Sequence, residues 1–196
     1  DLECANTTNT KARRDQVAFS MPVYFSSAKL LVRENSGIKK IDDMDGKTLA
    51  VQKGTTGALI AEARKQTLKT MKVIVVENAG AGASAVEQKT ADAFMTDDIL
   101  LYGLKSQSKE ALAVVGATIS IEPLAIMFSK NDPELAALVE REMTSMFTSG
   151  KLRKVYQKWF QTNLPQRTFN LNVPPNQLTA DMFNHPSGYA VDWVIF

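Results

Sequence analysis

A single cysteine and a single histidine stand among the 196 residues. One cysteine, Cys4, closes no internal disulfide. It is either a buried free thiol or half of a pair whose partner lies outside this chain. The lone histidine, His185, falls in a proline-bearing stretch near the C-terminus and reads as a surface residue. General acid–base catalysis needs a positioned proton carrier, and the other candidates, Glu77 and Glu122, have no evident partner in the sequence. An enzyme is therefore not expected, and no catalytic residue, metal ligand or cofactor is assigned. Also missing is any apolar run of the roughly 18 residues that cross a bilayer; runs such as "LAIMFSK" from Leu124 are strand-sized. The formal net charge of +2 is too small to argue for nucleic acid or an anionic membrane as partner. Asp1-Leu2-Glu3 lacks the basic start and apolar core of a secretory leader. The chain is thus either cytosolic or has had a leader removed or omitted.

What is present is ordinary globular material, 44% apolar and 22% charged, enough for one domain or two small ones. Ala18 to Arg33 reads as extended, with Pro22 at an edge or bend. "TLAVQ" (48–52), "KVIVVE" (72–77), "ADAFMTDD" (91–98), "ALAVVG" and "LAIMFSK" read as strands. Between them, "GALIAEARKQ" with Thr55 or Thr56 as cap, "GAGASAVEQK" and "ILLYGLKS" read as helices. Continuous apolar strands alternating with helices predict an α/β architecture with a mostly parallel sheet. From Asn131 the texture turns helical. Asp132 caps and Pro133 opens a helix whose buried stripe is Leu135, Leu138, Val139, Met143, Met146 and Phe147. Gly150 ends it, and Leu152, Val155, Tyr156, Trp159 and Phe160 mark another. The tail after Asn163 reads as irregular and closes on the apolar "YAVDWVIF".

Three polar groups sit where α/β folds place ligands, at strand ends and helix starts. They are Thr7-Thr8 with Arg13-Arg14, the turn Gln52-Lys53-Gly54-Thr55-Thr56-Gly57, and Asp97-Asp98. Arg13 suits a carboxylate through paired charge-assisted bonds, and Thr8 adds a hydroxyl donor. The Gly54-Thr55-Thr56 turn presents N–H groups and a helix start to an anion. It lacks the spacing of a phosphate-binding loop. Asp97 suits an ammonium. Each group alone is more often a surface charge or a helix cap than a ligand contact. Together they suit a zwitterionic amino acid.

The same residues carry a resemblance. "ECANTTNTKARRDQVAFSMPVYF", "IDDMDGKTLAVQKGTTG", "ADAFMTDDILL" and "LAIMFSKNDPEL" resemble successive blocks of the polar amino-acid periplasmic binding proteins, extracellular solute-binding family 3. The resemblance runs from Leu2 to about Leu178. It implies an α/β, periplasmic binding protein-like (type II) fold of two lobes that catch the ligand between them. Lobe one would be residues 1–26 and 122–196, and lobe two residues 27–121, with crossovers near Val23 to Ser27 and Ile121 to Ala125. By that match Asn6, Thr8 and Arg13 hold the α-carboxylate of the ligand. Gln52, Thr55 and Thr56 contact it from lobe two, and Asp97 binds its α-ammonium.

The implied function is the solute-binding component of an ABC importer. Its partners would be a free polar L-amino acid, glutamate- or aspartate-like, and the transporter's membrane subunits, and its location the periplasm. Two positions depart from the glutamate/aspartate pattern: Asn6 replaces a serine, and Ala79 replaces a histidine that helps hold the side-chain carboxylate. Since an unpaired buried carboxylate is costly, acidic specificity does not follow from the match alone. The resemblance also implies a lobe one truncated at its N-terminus. Open strand edges and apolar faces there predict a homodimer or a segment swap. The competing readings are a non-transport or sensory remnant that binds no ligand and, less favoured, an enzyme on the same fold.

Overall fold

In the computed structural model, residues 1–164 and 170–187 are described; the terminal "YAVDWVIF" lies outside them. In chain order the elements are β1 (Leu2–Glu3), α1 (Lys11–Arg14), β2 (Val17–Phe19), β3 (Tyr24–Ser26), β4 (Ala28–Arg33), β5 (Thr48–Gln52), α2 (Thr56–Arg64) and β6 (Lys72–Val76). There follow α3 (Ala79–Glu87), β7 (Ala93–Asp97), α4 (Asp98–Gln107), β8 (Leu112–Val115), β9 (Glu122–Leu124), β10 (Met127–Ser129), α5 (Pro133–Thr148), α6 (Lys151–Phe160) and α7 (Gln177–Asn184). A 3₁₀ turn, Ile41–Met44, precedes β5. The chain divides into two compact units. Unit one is Asp1–Phe25 with the described residues from Glu122 onward, and unit two is Ser26–Ile121.

Unit two is built on a five-stranded sheet of order β6-β5-β7-β4-β8. β5 runs parallel to β6 and β7, but β4 runs antiparallel to both β7 and β8. The sheet is therefore mixed rather than mostly parallel. A strand covered on both faces is apolar along its length whichever way it runs, so the buried run Leu30-Leu31-Val32 carries no sign of direction. Alternation along the strands sends Leu31, Ala50 and Phe94 into one core with Ala83, Val86 and Leu101 of α3 and α4. Leu30, Leu49, Val51 and Met95, also buried, point to the opposite face. α3 approaches closely because it carries Gly82: a Cβ there would lie 2.4 Å from the Phe94 ring.

Unit one holds a three-stranded antiparallel sheet, β1-β10-β2, and the pair β3-β9. α5 begins as its sequence dictates, with Asp132 accepting from the Leu135 N–H and Pro133 in the first position. Its buried residues are Val139, Met143 and Phe147, while Leu138 is 42% exposed. Gly150 adopts a left-handed φ of +70°, which separates α5 from α6. On α6 only Tyr156 of the expected stripe is fully buried, and Val155 and Trp159 are 39% and 44% exposed. The reason is the narrow cover. Among the described residues the rings packed on this helix are Tyr24, at 6.2 Å from Tyr156, and Phe183, at 5.6 Å.

The tail is not wholly irregular. Asn176 caps α7 by accepting from the Thr179 N–H. The same asparagine donates to the Phe25 carbonyl, and the buried Thr179 hydroxyl accepts the Phe25 N–H. α7 thereby fastens β3 by its backbone. Cys4 is exposed rather than buried.

Candidate functional site

The site residues expected in unit two share one sheet edge. β5 and β7 are parallel neighbours in the register Leu49↔Ala93, Ala50↔Phe94 and Val51↔Met95. Their carboxyl ends therefore finish side by side, with Gln52 ending β5 and Asp97 ending β7. That edge is where open α/β sheets bind ligands. The chain leaves β5 through Gly54, which has a left-handed φ of +76°, and enters α2 with Thr55 as its cap. The Thr55 hydroxyl is engaged twice: it donates to the Gln52 carbonyl at 2.7 Å and accepts from the Ala58 N–H at 3.2 Å. Thr56 and Gly57 are buried at the helix start. A Cβ on Gly57 would lie 3.2 Å from the Met95 carbonyl oxygen. The glycine thus seats the first turn of α2, with N–H groups that find no acceptor inside the helix, directly against β7.

Asp97 and Asp98 are both buried, at 7% and 8% exposure. They do different work. Asp98 opens α4, and its Oδ1 accepts from the Ser26 hydroxyl at 2.9 Å. Burial pushes the Asp98 carboxyl above its ordinary value of 3.8, against the opposing pull of the Ser26 hydrogen bond and the Lys29 charge. An acid with a raised folded pKa stabilises the fold most when protonated. That contribution is complete below the unfolded value and is lost as pH rises through the folded one. Asp98→Asn keeps an acceptor for Ser26 and removes the charge. Its melting temperature should match the parent near pH 3 and rise relative to it as pH increases above the ordinary carboxylate value. Parallel melting profiles for the two proteins over that range would show that Asp98 does not titrate abnormally.

In unit one the structure joins Thr8 and Arg13. Arg13 lies on the single turn α1, where its N–H donates to the Thr10 hydroxyl at 3.3 Å and its Nη1 donates to the Thr8 carbonyl at 2.9 Å. Thr8 faces Leu124 of β9 in an antiparallel bridge. The flanking bonds, Asn9 N–H to the Pro123 carbonyl and Ala125 N–H to the Thr7 carbonyl, make this a non-hydrogen-bonded pair, so the N–H and C=O of Thr8 point away from β9. The Thr8 hydroxyl is committed elsewhere: it donates to Glu122 Oε2 at 2.8 Å. Asn6 is exposed on the loop before this bridge.

Glu122, with no evident partner in the sequence, is completely buried and has one. Sequence reasoning also passed over Ser26 and the Asn176–Thr179 pair; their partners lie 72, 151 and 154 positions away, and no local pattern signals such contacts. Glu77 and His185 are exposed. Ala79 opens α3 and packs against the apolar core. A cavity of about 550 Å³ in unit one, lined by Asn9, Arg14, Val17, Phe19 and Val139 among others, includes Arg14 of the first polar group but none of the residues assigned to the ligand. Among the described residues no cluster of metal-ligating side chains occurs, and no helix is long and apolar enough to cross a membrane.

The chain is 32% identical over 195 residues to the L-glutamate/L-aspartate-binding protein of Pseudomonas aeruginosa, covering 98% of this chain and 65% of that one. It is 29% identical to an ABC transporter glutamine-binding protein of Bacillus subtilis, over 82% of this chain and 58% of that protein. Among solved structures, an ancestral arginine-binding protein bound to glutamine superposes with a TM-score of 0.75 at 29% identity, covering 83% of this chain and 72% of that one. The chain thus spans just under two thirds of the length of the curated relative from Pseudomonas. These relatives are amino-acid-binding proteins, not enzymes. The model for bacterial extracellular solute-binding proteins, family 3, matches residues 1–162, and the chain belongs to that family.

Proposed function

We propose that this protein binds a polar L-amino acid in the periplasm as the solute-binding component of an ABC importer. The observation that carries the reading is the carboxyl edge of β5 and β7. There the buried Asp97 carboxylate stands next to a strand-to-helix turn of N–H donors. Groups of opposite preference on one edge are what a zwitterion requires. Asp97 takes the α-ammonium, while Gln52, Thr55 and Thr56 contribute the surrounding polar contacts.

Unit one adds its own share, with Arg13 on the α-carboxylate and Asn6 beside it. Because the Thr8 hydroxyl donates to Glu122, the group Thr8 gives a ligand carboxylate is its backbone N–H. Glutamate and aspartate are the leading ligands, on the analogy of the Pseudomonas protein. Ala79 brings no polar group to a ligand side chain, and glutamine stands next in line.

A thermal-shift titration with glutamate, aspartate, glutamine, asparagine and arginine tests the reading. A ligand at one hundred times its dissociation constant stabilises by about 2.7 kcal/mol, which raises the melting temperature by several degrees. A shift with one of the five supports amino-acid binding and names the ligand. A cooperative melt that none of them moves identifies a remnant without a ligand site.

A further inference from the structure

We infer that the exposed face of α6 is a docking surface for an anionic lipid bilayer. The small net charge of the whole chain conceals an uneven distribution. Between Glu142 and Asp181 the sequence has no acidic residue, while it carries Lys151, Arg153, Lys154, Lys158 and Arg167. All of these but Arg167 lie on α6. At about 100° per residue, Lys154, Lys158, Lys151, Val155 and Trp159 follow one another round about 140° of the helix, and each of them is exposed. The other side of the helix faces unit one. There Tyr156 is buried with its ring 6.2 Å from that of Tyr24. Arg153 is turned to the same side, its guanidinium 5.4 Å from the Phe183 ring and its Nη2 donating to Asn184 Oδ1 at 2.7 Å.

Neither helix stability nor packing accounts for this face. The first turn of α6 holds no acidic residue, and Gly150 brings no side-chain cap. Lys151 and Lys154 therefore oppose the helix dipole at the end where it favours negative charge. Among the described residues none of the three lysines makes an ion pair; Lys158 Nζ lies 5.3 Å from the centre of the Trp159 ring. Glu142, the acidic residue before them in sequence, is paired with Arg141. Val155 and Trp159 keep apolar surface in water beside these unpaired cations. The composition selects the occupant. Protein interfaces are depleted in lysine and enriched in arginine, whereas here the one arginine of the helix is turned inward and the outward cations are all lysines. Lysines that reach headgroup phosphates while a tryptophan ring rests at the acyl boundary characterise a helix lying on a bilayer. With 10 residues, α6 is too short to cross one.

The experiment is co-sedimentation of the whole chain with vesicles of phosphatidylcholine, alone or mixed with phosphatidylglycerol. The bound fraction should rise with phosphatidylglycerol content and fall as salt screens the charges. Changing Lys151→Gln, Lys154→Gln and Lys158→Gln together should weaken partition roughly a hundredfold, at about fivefold for each charge. The lysines are exposed, so the fold survives their loss. Lys39, Lys69 and Lys72, exposed on unit two, serve as the control. Their change to glutamine lowers the net charge equally and should leave partition near that of the parent. Of the two tryptophans, Trp193 is removed by Trp193→Phe, and the emission of Trp159 should then shift to shorter wavelength on phosphatidylglycerol vesicles. No binding to these vesicles, equal binding to both kinds, equal weakening by the two triple variants, or an unmoved Trp159 emission on bound vesicles overturns the inference. Retention on immobilised poly-L-glutamate without binding to vesicles also overturns it and assigns the face to an acidic protein. None of these outcomes depends on which amino acid the protein binds.

Discussion

Phe94→Ala should lower the unfolding free energy by about 3–5 kcal/mol. Phe94 is fully buried at the centre of unit two, between β5 and β4 on the sheet and beneath α3 and α4. Removing its ring forfeits the transfer energy of the largest fully buried side chain and leaves a void that rigid strands cannot close. Gly82 makes the void specific, because its missing Cβ is the space the ring occupies, with ring atoms 2.4 Å from where a methyl would stand. Gly82→Ala alone should therefore destabilise by about 1–3 kcal/mol through overpacking. In the double variant the new methyl enters the space the ring has left, and the summed loss should be smaller than the two single losses. Urea denaturation of the four proteins measures the coupling. Strict additivity would mean that α3 and β7 do not meet at this point.

The second large effect concerns binding. Arg13→Ala should weaken the amino acid selected by the thermal screen by roughly a hundredfold or more, the usual consequence of removing one partner of a desolvated charge pair. Stability should change little, since Arg13 is only half-buried and makes its hydrogen bond to Thr8 at the surface of unit one. Arg13→Lys should recover part of the loss and no more, because an ammonium cannot reproduce the two-pronged geometry of a guanidinium. Calorimetric titration of the three proteins tests this. Parent-like binding by Arg13→Ala would remove Arg13 from the site.

Some of this was legible in the residues and some was not, for physical reasons. The strands Thr48–Gln52 and Ala93–Asp97, the Thr55 cap and the Asp132-Pro133 start of α5 rest on local rules of propensity and capping. Such rules act within a few positions. Strand direction does not act locally, and β4 shows the consequence: Leu30-Leu31-Val32 looks the same in a parallel or an antiparallel ladder. The stripe on α6 was overdrawn at Val155 and Trp159 because periodicity reports which face is apolar, not how much neighbouring chain covers it. Of the candidate site, the residue types and their places at strand ends were readable. The engagement of the Thr8 hydroxyl and the partner of Glu122 were not, since both depend on segments more than one hundred residues apart.

The division of the chain has a consequence for its synthesis. Among the described residues unit two is one uninterrupted stretch, Ser26–Ile121, whereas unit one needs both Asp1–Phe25 and residues that begin at Glu122. A ribosome releases residues 1–25 well before their partners β9, β10 and α5 exist. During that interval unit two can complete its sheet as a cooperative body, while Thr8 and Arg13 wait without Glu122. The Thr8–Leu124 bridge and the bond from Thr8 to Glu122 are then among the last features of unit one to form, assembled only when β9 has emerged to meet a loop made long before it.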